Sequence, residues 1–370
     1  MQVFGPACSF VARVGTASLL AAPLLLSKAH AAPATSAPSG GTFLGLALQN
    51  FTPYHALAGG LLLGAAVAMS MIVKGEILGI SGITGGIVKG KHGELNRWIF
   101  VAGLLTGGAA LKTLYPSALG SVDAPMWRLV VSGALVGAGS TLGNGCTSGH
   151  GICGNARLSA RSMVYTLIFM GTGLVTASLT QSGSTIVFSH PPTPSLDEVS
   201  PLAGKILAAH LLTYIAVTSA GTAKAMTAEA SKSVISYLDG TLFALGLGIS
   251  GMTSPAKVAQ FLDISAGSWD PSLMFVMGGA LALNLPFMQG IIAAGRVKKP
   301  IFGAKFSLPT RKDLDARLIV GGILFGAGWG FGGACPGPAI VGLGGSPTPN
   351  MLAWNAAFLS GITLAHKLFP

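Results

Sequence analysis

The chain has 370 residues, of which 51% are hydrophobic and 9% charged. Soluble domains carry about 25% charged residues, so the composition excludes an ordinary soluble domain and describes an integral membrane protein. The net charge of +11 does not indicate a nucleic-acid partner. Lys and Arg sit in short loops between apolar runs, where they set topology and add attraction for anions.

Residues 1–40 read as a targeting segment, expected to be a cleaved signal peptide. Arg13 precedes an apolar run from Val14 to Leu26, and Ala29-His30-Ala31 forms a small-x-small cleavage pattern. No acidic residue occurs before Glu76, so an organellar transit peptide is the competing reading and an uncleaved anchor a third. Beyond it, about nine apolar segments approach the roughly 20 residues that cross a bilayer. They fall near 56–73, 97–114, 127–144, 161–179, 204–221, 237–252, 272–293, 317–333 and 350–367.

Positive charge concentrates in alternate loops: Lys74, Lys89, Lys91 and Arg97, then Arg157 and Arg161, then Lys224 and Lys232, then the stretch from Arg296 to Lys312. The positive-inside rule places these loops inside, the N-terminus outside and the C-terminus inside. A plasma membrane is the expected location, with an organellar inner membrane as the alternative.

The segments repeat. Gly133-x3-Gly137-x-Gly139-x3-Gly143-x2-Cys146 lies without a gap over Gly322-x3-Gly326-x-Gly328-x3-Gly332-x2-Cys335. Glycines four apart allow close helix approach, and a glycine cluster after the helix lets the backbone bend or re-enter. Gly60-x3-Gly64 with Gly79–Gly86, and Gly240-x5-Gly246 with Ser250–Pro255, have the same helix-then-turn form. The expected fold is all-α: about nine transmembrane helices with short re-entrant helices in two inverted, hourglass-like pseudo-repeats. Residues 50–180 form a first membrane half, 200–222 a linking span, and 237–367 a second half. The odd linking span inverts the second half relative to the first, a plan common among secondary transporters. Close packing alone is the bland alternative.

Two turns carry the chemistry. One contains Cys146, Thr147, Ser148, His150 and Cys153, the other Cys335, Pro336 and Gly337; Thr253 lies on a third. Cys146, His150 and Cys153 are soft donors, but C-x3-H-x2-C matches no common zinc spacing and has no fourth ligand nearby, so neither a metal nor another cofactor is expected. A cysteine nucleophile activated by His150 is conceivable, yet the sequence supplies no third orienting group, and inert packing is open for Cys153. A helix starting near Pro336 would aim its N–H groups at the Cys335 turn as an anion site. Its alternative is a simple helix break.

The run Gly145–Gly154 followed by Ala156-Arg157-Leu158-Ser159, with Gly79–Ile83, resembles the YeeE/YedE family of sulfur-compound transporters. Ser250–Val258, Trp269–Ser272 and Gly328–Pro338 resemble the half-length companion often encoded beside a short member, so the chain looks like a fusion of the two over roughly 50–367. The resemblance implies uptake of thiosulfate or a related sulfur anion along pore cysteines, here Cys146 and Cys335. Leu78 stands where the family has a third cysteine, and Cys153 is an extra thiol of the shorter subgroup. The expected partners are the anion, the lipid bilayer and a sulfur-carrier or sulfurtransferase protein on the inner side, with no nucleic acid. No enzymatic activity is expected. The alternatives are a membrane thiol oxidoreductase or sulfurtransferase pairing Cys146 with Cys153, a transporter of another small anion, and a sensor that binds without flux.

Overall fold

The computed structural model describes residues 42–43, 46–48, 50–90, 94–120, 122–181, 187–188, 196–266 and 268–369. The targeting segment at 1–40, with Cys8, and most of the 181–201 loop lie outside the described residues.

The fold is all-α. In chain order the helices are α1 (Pro53–Lys74), α2 (Ile80–Val88), α3 (Glu94–Leu114), α4 (Met126–Leu142), α5 (Ala160–Thr180), α6 (Leu196–Thr222), α7 (Ala228–Ile249), α8 (Pro255–Leu262), α9 (Ser272–Phe287), α10 (Ala316–Gly332), α11 (Pro336–Gly345) and α12 (Pro349–Leu368). A π-helical segment, Thr147–Gly154, follows α4, and another, Met288–Ala293, continues α9. Short strands of two or three residues tie the loops together; Leu46–Leu48, for example, pairs with Ser268–Trp269.

Nine long helices among the described residues fall where the nine apolar segments were read. Five stretches, including α1, α5 and the α9 continuation, are long and apolar enough to cross a membrane, or six with α4 and its bent partner Thr147–Gly154. Two boundaries differ from expectation. α7 starts at Ala228 rather than 237, because Thr227 caps it by accepting from the Ala230 N–H; its first turns are polar and carry no apolar signal. α6 starts at Leu196 rather than 204, with Asp197 and Glu198 in a first turn that favours negative charge.

The pairing of helices follows the sequence repeat. α3 packs on α7 as α9 packs on α1, and α12 packs on α4 as α5 packs on α10. The short elements obey the same exchange, α11 against α3 and Thr147–Gly154 against α9. Each half therefore completes the other, since all six of these contacts cross between halves and bury faces that would otherwise be open.

Glycine permits the approach. A Cβ at Gly137 would stand 2.2 Å from the Phe358 carbonyl oxygen of α12, and one at Gly103 would stand 2.4 Å from the Tyr237 oxygen of α7. Dispersion and weak polar contacts between backbones, rather than large apolar side chains, hold these interfaces. α1 is the innermost of the apolar spans, 89% buried, whereas α5 is 22% buried and presents Leu167, Val175 and Leu179 outward.

Candidate functional site

The two cysteine turns have the same backbone. Asn144 and Gly333, at matching positions two residues before the cysteines, both adopt left-handed conformations, with φ of 59° and 65°. Asn and Gly are the residues that visit this region readily. The chain then extends through Cys146 (φ −127°) and Cys335 (φ −122°), each the N-cap of the short helix that follows. α11 begins at Pro336, where a missing N–H leaves no bond unmade. Gly337 and Pro336 are both buried in its first turn.

These turns come from different halves and meet at one cavity of about 280 Å³. Cys146, Thr147, Ser148, Cys335 and Gly337 line it, with Ile80, Phe169, Trp329 and the methionines Met170, Met252, Met274 and Met277. The Cys335 thiol lies against Thr147 and the backbone of Gly337. Cys146 Sγ is 3.3 Å from Ser148 Oγ, which also accepts the Ile80 N–H at 3.2 Å. The wall is thus polarizable sulfur and aromatic surface, with neutral hydroxyl, thiol and N–H donors at one place. Trp329 adds a buried indole N–H that has no protein partner among the described residues.

The remaining predicted residues lie apart from that wall. His150 is buried on Tyr165, with ring centroids 4.4 Å apart; one ring nitrogen is 2.9 Å from Ser162 Oγ and the other 3.0 Å from the Gly143 carbonyl. Its nitrogens are thus engaged by Ser162 and Gly143 instead of a cysteine. The Cys153 thiol, fully buried, donates to the Leu78 carbonyl at 3.7 Å and lines neither this cavity nor the vestibule. The three described cysteines are free thiols. Thr253 donates to the Ala118 carbonyl and lines a separate pocket of about 30 Å³ that shares Met252 and Pro338 with the main cavity.

Ile80 and Ser148 form a thin partition. Their neighbours Gly79 and Gly149 line a vestibule of about 640 Å³ on the other side. Its rim carries Lys74, Arg97, Arg157, Arg161 and Arg311 against Glu76, so three of the four loops read as positive converge at one end of α1. The segment between α9 and α10 crosses this end: the Ser307 N–H donates to the Gly75 carbonyl at 2.7 Å, and Arg157 donates to the Pro309 carbonyl at 2.6 Å. Arg161 pairs with Asp315 at 3.0 Å. The Arg311 guanidinium, hydrogen-bonded to Asp313, holds that carboxyl below the usual carboxylate range. Sequence reasoning missed Trp329, Ile80 and the methionines as cavity residues, because each reads as ordinary packing on its own helix.

Duplicated helix bundles with short helices meeting at a central cavity define a class of helical membrane protein built for passage of small solutes. Residues 231–369 match a family of unknown function, DUF6691. A "Probable transporter" of Xylella fastidiosa (strain 9a5c) is 40% identical over 129 residues, which are 35% of this chain and 86% of that protein. A "Probable transporter" of Xylella fastidiosa strain Temecula1 is 40% identical over 126 residues, 34% of this chain and 93% of that protein. The chain belongs to this family of probable transporters, and each of these relatives corresponds to about a third of its length.

Proposed function

We propose that the chain carries a thiosulfate-like sulfur anion across the membrane, inward, from the Cys335 turn through the central cavity to the Cys146 turn and the basic vestibule. The observation that carries this reading is the meeting of two matching cysteine turns, one from each half, on a single sulfur-rich cavity. A dianion leaves water only where donors replace its hydration. Thiols, hydroxyls and the first N–H groups of the short helices are such donors. Thiols bind weakly, and weak binding suits a solute that must also leave. Polarizable sulfur at the wall favours a sulfur-ended anion over phosphate. The basic end is assigned to the inside and the N-terminus to the outside, in a plasma membrane. A sulfur-carrier protein at the inner face is the fitting recipient.

Uptake of radiolabelled thiosulfate by proteoliposomes tests it. Cys146→Ala and Cys335→Ala should each remove most uptake, with Ser intermediate and protein abundance unchanged, while Cys153→Ala should be milder. Normal flux in the Cys146→Ala/Cys335→Ala variant would remove the proposed path.

A further inference from the structure

The vestibule is flanked by a buried charge pair that the cysteine path does not use. Lys74 Nζ, at the end of α1, lies 2.7 Å from Asp239 Oδ2 on α7 and donates to Ser236 Oγ at 3.0 Å. Tyr214 of α6 donates its hydroxyl to Asp239 Oδ1 at 2.6 Å. Asp239 is 0% exposed, whereas Lys74, Ser70 and Ser236 line the vestibule. The carboxylate is therefore sealed in the bundle, and its cation stands at the edge of the anion's route.

A pin between helices is the plain reading of such a pair, and two observations weigh against it. Replacing a buried ion pair by apolar groups of similar volume is often neutral or stabilising, so packing alone gives little reason to keep it. The same interface also does without it at its other end. Gly60 meets α9 as Gly240 meets α3, so the counterpart of Asp239 is Gly59 and that of Lys74 is Ser254. There the contact is neutral and close: a Cβ at Gly59 would stand 2.5 Å from the Gly246 carbonyl oxygen of α7 and from Ser250, its C-cap. The charge is a departure from the internal symmetry, and it occurs beside the vestibule. Ionisable groups within membrane bundles commonly mark ion pathways and proton relays.

We propose that Asp239 is a proton-coupling site. An anion in the vestibule draws the Lys74 ammonium away, and the Asp239 carboxylate, left without its counter-ion, takes one proton from vestibule water. The driving force is the cost of an unpaired buried carboxylate, which is relieved by protonation. Tyr214 serves either form, donating to the carboxylate or accepting from the acid. When the anion leaves, Lys74 returns and the proton is released, so anion and proton bind and leave together. The inference rests on the anion reading above, and it makes anion binding in the vestibule proton-linked.

The other groups around Asp239 are few. α6 brings Tyr214 and His210, whose Nε2 is 3.1 Å from Thr241 Oγ1 and whose Nδ1 is 2.9 Å from the Ile206 carbonyl. Arg97 of α3 and Glu76 stand on the vestibule wall, Lys232 and Glu229 pair at the exposed start of α7, and α11 contributes no ionisable side chain.

The test uses the full-length protein in detergent with weak buffering, measuring thiosulfate binding and proton uptake in the same cell. About one proton should be taken up per anion bound at neutral pH, and affinity should fall about tenfold per pH unit as pH rises, the slope for one coupled proton. Asp239→Asn should still bind thiosulfate but take up no proton and lose the pH slope, whereas His210→Asn should keep both. If Asp239→Asn fails to fold, Lys74→Met/Asp239→Leu, which replaces the pair with apolar groups, should fold, bind thiosulfate more weakly for want of the ammonium, and take up no proton with it. Thiosulfate binding without proton uptake in the unmodified protein would overturn the coupling and leave the transport reading standing. No thiosulfate binding at all would overturn both. Proton uptake that survives Asp239→Asn would place the coupling elsewhere and overturn the assignment to this residue.

Discussion

At the scale of single residues, the cavity wall separates side chains that hold the fold from side chains with capacity to spare. His150 spends both ring nitrogens inside the protein, and Cys153 spends its thiol on the Leu78 carbonyl. Trp329 does not: its ring packs on Phe169 with centroids 5.9 Å apart, while its N–H has no protein acceptor among the described residues. Buried indole N–H groups usually find a partner, and on the anion reading proposed above a bound anion that parts the packing around this one would supply it. Trp329→Phe keeps an aromatic ring and deletes the donor. It should leave thermal stability nearly unchanged and weaken thiosulfate binding about tenfold, the scale of one hydrogen bond to a charged group. Titration calorimetry and a melting curve on the same sample check both. An unchanged affinity would remove Trp329 from the binding wall.

At the scale of elements, the glycines have two distinct duties. Gly137 of α4 is a packing residue, because a Cβ there would collide with the Phe358 carbonyl of α12. Gly149, in the Thr147–Gly154 segment, is different: a Cβ there meets nothing within 4 Å, and the residue lines the vestibule. Gly137→Val should therefore cost about 3 kcal/mol or more through overpacking, seen as a lowered melting temperature and poor expression. Gly149→Val should express normally yet reduce thiosulfate flux severalfold by narrowing the opening next to the Ile80–Ser148 partition. Equal flux in Gly149→Val and the unmodified protein would mean that this opening is not on the route.

At the scale of the whole molecule, the two halves exchange contacts so completely that neither makes a closed bundle alone. α3 needs α7, and α1 needs α9. Inversion comes from the proposed odd number of crossings between halves, and it has a direct consequence for topology. Small epitope tags within 181–201 should be reached from outside in intact cells, and tags within 296–315 only after permeabilisation. Tags accessible on the same face would refute the inverted arrangement, since an odd number of spans must separate the two loops.

Much of this was legible in the residues themselves. Membrane residence comes from having 9% charged residues, and the duplication from glycines and cysteines in equal register. Cys146 and Cys335 could be named as a pair because their turns share one pattern, and Pro336 marked the start of α11 because proline fits a first helical turn. The early starts of α6 and α7 were not legible, since capped polar turns extend a helix past its apolar segment. The repeat also set Cys146, which has a mate in Cys335, apart from Cys153, which has none, but it did not say what the Cys153 thiol touches. Which thiol reaches the cavity depends on the rotation of a short π-helix and on Leu78 from another element. The Lys74–Asp239 pair was equally hidden. Lys74 reads as a topology-setting charge, and Asp239 is an isolated acid far along the chain. Periodicity reports which faces are apolar, but only tertiary packing decides which distant polar groups are buried together, because that depends on the approach of backbones that glycine allows.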